Sequence, residues 1–226
     1  MPPTLVLVHG AWHGPWCWQP LVDELPDVDV VTVALPSSGP DPQSLGDLTA
    51  DADAVRATLA GIEGPIVVMA HSYGGIPTTE AATADLGVAH LVYLCAFMLD
   101  AGESLVGSLG GEVPPWQELH PTHVRVTTPE PVFYNGVSPE LTAQAVAQLG
   151  LQSTSSLTQP LSRAAWRELP STYVVCEQDQ AIPVAAQEAM SGHADTVLRL
   201  GTGHSPFLAA PAELAALVRG VLDRVG

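Results

Sequence analysis

The sequence predicts an α/β fold, a mainly parallel, doubly wound sheet with helices on both faces and a small inserted lid. Three observations carry this expectation. Apolar, β-branched-rich runs of strand length recur six times along the 226 residues, most without the alternation of a half-exposed strand. Between them lie stretches with apolar residues at helical spacing, and strands alternating with helices make parallel sheets. One interval, 99–169, breaks that rhythm.

Strands are expected at Thr4–Val8, Val28–Leu35, Pro65–Ala70, Ala89–Phe97, Thr172–Cys176 and Thr196–Leu200, where continuous apolar runs suit burial on both faces. Helices are expected at Trp18–Leu25, Leu48–Leu59, Gly75–Leu86, Val184–Met190 and Pro211–Val225. Residues 1–98 and 170–226 then form one core, and 99–169, rich in Gly, Pro, Ser and Thr and without a clear buried strand, is the inserted lid. That insert carries one well-signalled helix, with Ser138 as N-cap, Pro139 in the first helical position, Glu140 in the first turn and Gly150 as its stop.

Composition narrows the function. With 46% hydrophobic and 14% charged residues, the chain is too apolar to be disordered. Twenty-four acidic against seven basic residues give a formal charge of −17, whose field opposes nucleic acid and anionic membrane surfaces as partners. All seven cations are arginine, so neither a Schiff-base lysine nor a P-loop lysine is available. Cys17, Cys95 and Cys176 are odd in number and lack C-x-x-C spacing, which fits a reducing cytoplasm. The start lacks a basic leader, and Leu5–Val8 is too short for a signal or spanning segment, so the expected location is cytoplasmic.

Chemistry concentrates at the ends of the expected strands. Met69-Ala70-His71-Ser72-Tyr73-Gly74-Gly75 follows a strand and opens a helix, resembling the G-x-S-x-G turn that exposes a serine nucleophile, with Ala70 in the first glycine's place. His9-Gly10-Ala11-Trp12-His13-Gly14 leaves the first strand. At the switch point of an open sheet its loop neighbours Ser72, where the Ala11 amide can pair with that of Tyr73 as an oxyanion hole. A serine needs a histidine base held by a carboxylate, and this fold runs them as Ser, acid, His. Asp179 and His204 stand after later strands in that order, with Glu177 and Asp100 as rival acids. Expected pocket residues are Gly10, Trp12, His71, Trp116, Phe133, Leu149 and Phe207. The pair His9 and His13 raises a metal site, but no carboxylate or thiolate at ligand spacing accompanies it, and neither metal nor cofactor is expected. His90, His120, His123 and His193 read as surface or packing residues.

These residues carry a family resemblance. Leu5-Val6-Leu7-Val8-His9-Gly10-Ala11-Trp12-His13-Gly14-Pro15-Trp16-Cys17-Trp18, Val174-Val175-Cys176-Glu177-Gln178-Asp179-Gln180-Ala181-Ile182-Pro183 and His204 resemble the α/β-hydrolases, within them the plant methylesterase, salicylate-binding esterase and hydroxynitrile lyase group. The resemblance covers roughly 4–100 and 170–225 and is loose across the lid. It implies the α/β-hydrolase fold, a serine esterase acting on a small carboxylic ester, and a homodimer. Two other functions remain open: a lyase using the same triad without an acyl-enzyme, and a non-catalytic receptor for a small ligand. The lyase branch carries threonine where Gly10 stands and lysine where Ser205 stands, and this chain departs from both.

Overall fold

The structure, a computed structural model, describes every residue from Met1 to Gly226. Its strands are β1 (Thr4–Val8), β2 (Val30–Val33), β3 (Ser38–Gly39), β4 (Ile66–His71), β5 (Val88–Leu94), β6 (Gln117–Leu119), β7 (His123–Val126), β8 (Leu151–Ser153), β9 (Ser171–Cys176) and β10 (Thr196–Leu200). The helices are α1 (Gln19–Asp23), α2 (Leu48–Ala60), α3 (Gly75–Ala81), α4 (Leu105–Ser108), α5 (Pro129–Phe133), α6 (Pro139–Val146), α7 (Thr154–Thr158), α8 (Val184–Ser191), α9 (Pro206–Ala209) and α10 (Pro211–Val225). No helix is long and apolar enough to cross a membrane.

Six strands form one sheet in the order β10-β9-β5-β4-β1-β2, and every pairing in it is parallel. Its centre is buried on both faces. Every residue of β1, β4 and β9 is buried, which explains their unbroken apolar runs, and each fully buried Leu, Ile or Val there contributes roughly 2 kcal/mol. The expected helix Leu48–Leu59 appears as α2, capped by the Asp47 carboxylate on the Ala50 N–H and burying Leu48, Ala52, Val55 and Leu59 along one face.

Strand order places the site. From β1 the chain goes to the edge strand β2 and returns to β4 on the other side of β1, so β1 and β4 are neighbours at the switch point. Their register sets Val8 opposite Ala70, and the two loops that follow leave the same edge of the sheet together.

Several boundaries differ from the sequence expectation. The expected helix Gly75–Leu86 stops at Ala81, where Ala82 turns extended, and a short 3-10 turn follows. Between β5 and β9 the chain forms three strands rather than none: β6, β7 and β8 pair antiparallel, with β3 from outside the insert completing the sheet in the order β3-β8-β7-β6. Strands of three or four residues are too short to register as apolar runs. The helix signalled at Ser138 is α6, but it ends at Val146, and Gly150 does not stop it. Glycine is required at 150 by the close approach of β3, since a Cβ there would meet the Gly39 carbonyl oxygen at 2.9 Å.

Glycines after Ser72 are required by packing. A Cβ on Gly74 would lie 2.5 Å from the His9 carbonyl oxygen, and one on Gly75 2.3 Å from that of Phe97. Both obstacles are backbone, so neither can swing away. Gly75→Ala is therefore expected to cost about 1–3 kcal/mol and to lower Tm by about 2–12 °C, measured by thermal unfolding; an unchanged Tm would show that this turn has slack.

Candidate active site

Ser72 leaves β4 with φ +53°, a left-handed conformation for a residue with a side chain, and opens a 3-10 turn that leads into α3. Its carbonyl accepts the Phe97 N–H at 3.0 Å, which ties the turn to the end of β5. Such strain persists only where surrounding structure over-determines it, and the packing around Gly74 and Gly75 does so here.

The acid and the histidine come from the ends of β9 and β10. Asp179 is buried, and its Oδ1 accepts the Ala181 and Ile182 N–H groups at 2.7 and 2.9 Å. Oδ2 accepts Gln187 Nε2 at 3.0 Å and His204 Nδ1 at 2.8 Å. The carboxylate is thus oriented by three other donors before it meets the histidine. Because Nδ1–H donates to Asp179, His204 Nε2 carries the free lone pair. Both rival acids are engaged elsewhere: Glu177 lies 3.6 Å from Arg199, and Asp100 pairs with Arg167, whose guanidinium lowers its carboxyl to about 2.

Ser72 and His204 line one cavity of about 410 Å³, together with Ala11 and Tyr73. Ala11 lies in the loop that follows β1, and its N–H has no backbone acceptor in the chain. Tyr73 stands in the first turn of the 3-10 helix, where N–H groups lack intrahelical partners. Around them the wall is mostly apolar, with Phe97, Met98, Leu105, Trp116, Phe133 and Ile182 prominent. Neither arginine nor lysine contributes, and Glu103 is the one carboxylate.

The sequence profile described as the alpha/beta hydrolase family matches residues 5–217. The chain belongs to the alpha/beta hydrolase family. It is 30% identical to an alpha/beta hydrolase, nvfD, of Aspergillus novofumigatus, over 96% of this chain and 95% of that one. Methylesterase 7 of Arabidopsis thaliana is 28% identical over 97% and 96% of the two chains. Among solved structures, a pyrethroid hydrolase from Sphingobium faniae superposes with a TM-score of 0.83 at 21% identity, covering 98% of this chain and 97% of that one.

Not every expected pocket residue of this hydrolase reaches the cavity. Trp12, Trp116 and Phe133 line it as an aromatic roof, with Trp12 stacked on Phe133 at 5.7 Å and edge-on to Trp116 at 5.8 Å. Leu149 does not line it, because the segment around it is held against the Trp12 backbone by the Gly150 N–H, 2.8 Å from the Trp12 carbonyl. Phe207 lies beneath the site, fully buried against Trp18 and His71 at 4.8 and 5.0 Å. Gly10 is also a packing position, since a Cβ there would come within 2.9 Å of both His71 Nδ1 and Ser72 Cβ.

His71 is a correction of another kind. Rather than facing a ligand, its Nε2–H donates to the His204 carbonyl at 2.8 Å, and the Cys95 thiol reaches the same oxygen at 3.5 Å. The ligand atoms of His71, Cys95 and His204 lie within 4.8 Å of one another, with His71 Nε2 and the Cys95 thiol turned to the His204 carbonyl and His204 Nδ1 bonded to Asp179. His9 and His13 use both ring nitrogens. His9 bonds the Gly10 carbonyl and receives the Leu35 N–H, and His13 bonds the Ala11 carbonyl and the Tyr134 hydroxyl. Gln187, which aims Asp179, escaped the sequence reading; its only signal was a polar residue in the first turn of a helix, eight residues past the acid.

The buried ring nitrogens make stability sensitive to acid. Burial lowers His9 to about 4 and His13 to about 3, so the unfolded chain takes up protons first as pH falls below about 6.5. Stability from these groups is present above that value and is lost as pH falls through the folded values. Asp51 acts oppositely: burial raises its carboxyl to about 6, so its contribution is full below about pH 4 and lost as pH rises through 6. Two histidines with the larger displacements outweigh one aspartate. The urea midpoint is expected to fall from pH 6.5 to 4, and Asp51→Asn to steepen that fall by removing the opposing group; a midpoint that rises toward pH 4 would contradict both assignments.

Proposed function

We propose that this hydrolase is a serine carboxylesterase acting on a small, uncharged carboxylic ester through an acyl-enzyme. One observation carries the reading: His204, held at Nδ1 by an oriented Asp179, lines the same cavity as Ser72 and Ala11, whose N–H has no backbone partner. His204 Nε2 takes the Ser72 proton as Oγ attacks the ester carbonyl carbon, and Asp179 stabilises the imidazolium. The amides of Ala11 and Tyr73 receive the oxyanion, each donor worth about 3–4 kcal/mol in comparable sites. Collapse breaks the bond to the alcohol oxygen, which takes the proton from Nε2. Water then attacks the acyl-Ser72 by the same route and releases the carboxylic acid. The apolar wall and the lack of any lining arginine support an ester without anionic groups. The relatives named as methylesterase and hydrolase support the same class.

A panel of p-nitrophenyl and methyl esters tests this. Ser72→Ala and His204→Ala are each expected to lower kcat by more than about a thousandfold, and the double variant to be little worse, because the residues act as one unit. An organophosphonate should add once, at Ser72. Retention by Ser72→Ala of over a tenth of activity, a loss under about 1.4 kcal/mol, would overturn the nucleophile.

Cleavage of a cyanohydrin needs stabilisation of departing cyanide, and in a chain without lysine no ammonium stands beside it. Mandelonitrile is therefore expected to survive at the buffer rate, measured by cyanide release. Release that depends on Ser72 would reassign the site to the lyase reaction.

A further inference from the structure

A buried chain of side chains that takes no part in the proton transfers runs from Tyr73, one proposed oxyanion donor, to the Trp12 N–H, in the peptide that follows the other donor, Ala11. We propose that Asp51, Ser37 and Gln152 are positioning residues that hold Tyr73 and the Ala11–Trp12 peptide so that both oxyanion amides keep one geometry. This rests on the esterase reading above.

The chain begins at the Tyr73 hydroxyl, which donates to Asp51 Oδ2 at 2.6 Å. Burial and the neighbouring carboxylate push the Tyr73 phenol well up, so it stays a donor. Ser37 meets the same carboxylate twice, through its N–H to Oδ1 at 2.8 Å and its hydroxyl to Oδ2 at 2.5 Å. Having given its proton to Asp51, the Ser37 hydroxyl accepts Gln152 Nε2 at 2.7 Å, and the second Nε2 proton goes to Ser156 Oγ at 2.7 Å. Gln152 Oε1 accepts from Ser38 Oγ at 2.6 Å and from the Trp12 N–H at 3.1 Å. All four bonding positions of the carboxamide are filled, which leaves it one orientation. Asp51, Ser37, Gln152 and Ser156 are each 0–1% exposed, so solvent cannot replace any of these partners.

At both ends the chain reaches a residue that lines the cavity. Tyr73 is anchored through its side chain to α2, away from the cavity its amide serves. On the other side, the peptide joining Ala11 to Trp12 is held twice: its carbonyl accepts His13 Nδ1 at 2.9 Å, and its N–H donates to Gln152. Trp12 has φ +62°, which an L-residue leaves unless it is held. Three hydrogen bonds from the insert hold it, through Gln152, the Gly150 N–H on its carbonyl, and the Val124 carbonyl on its indole N–H at 2.8 Å. The carboxylate on α2 and the carboxamide on β8 therefore join core and insert at the two donors, where a displacement of about 1 Å can cost a hundredfold in rate.

Tyr73→Phe removes one oxygen and leaves the backbone amide, and Gln152→Met removes the carboxamide at nearly constant volume. Each is expected to lower kcat at least about tenfold while KM stays within about twofold, since an oxyanion forms only in the transition state. The inhibition constant of an arylboronic acid, whose tetrahedral adduct on Ser72 places an oxygen at the same amides, should rise in proportion to the loss in kcat. The double variant should lose less than the product of the single losses, because both break one chain. Folded variants with wild-type kcat, or a KM that rises while kcat and boronate affinity hold, would overturn the proposal. Unfolding of Tyr73→Phe would also overturn it by assigning the chain to stability alone. These outcomes are distinct from failure of the esterase reading, in which the wild-type protein itself shows no turnover that Ser72→Ala abolishes.

Discussion

Parallel pairing of β1 with β4, which sets Val8 opposite Ala70, is the constraint on which the rest of the site depends. It brings the loop beginning at His9 and the turn beginning at Ser72 to the same edge of the sheet. The backbone then closes so tightly that Gly74 lies under the His9 carbonyl and Gly10 against Ser72. Neither loop can shift alone. A serine at φ +53° is tolerable because glycines on both loops let the two chains touch, converting local strain into a fixed direction for Oγ.

The second principle is that most polar groups beneath the cavity are buried and matched. His71 and Cys95 meet on the His204 carbonyl, Gln187 spans Asp179 and the Cys176 backbone, and His9 and His13 stitch the first loop to Leu35 and Tyr134. Burial keeps His9, His13 and His71 neutral near pH 7, so a base beside them is not opposed by three fixed positive charges. The same burial makes acid the weak side of the fold, because each ring must be protonated on unfolding there. His71 Nδ1 is left buried without a partner, a cost accepted in positioning the other nitrogen.

The insert has two jobs. Trp116 and Phe133 line the cavity with Trp12 as one aromatic wall. Its small antiparallel sheet also grips the Trp12 backbone, so the segment that covers the cavity is joined to the loop that carries a proposed donor. A change in the insert is therefore expected to reach the reaction centre through hydrogen bonds as well as through shape.

Sequence alone determined the parallel core, because strands buried on both faces must be written as unbroken apolar runs. It also determined the order of Ser72, Asp179 and His204, because each follows such a strand. Tertiary structure decided what local signals do not encode. Of the three carboxylates, Asp179 meets His204, while Asp100 and Glu177 lie beside Arg167 and Arg199, partners set by the fold and not by sequence order. Short strands in the insert carry too few residues to show a period, so β6, β7 and β8 were invisible until β3 paired with β8. His71 and Phe207 adjoin the site in sequence, yet the strand and helix that carry them place their side chains beneath it. Which side of the backbone a residue presents is set by contacts made dozens of residues away, and those exist only once the chain has folded.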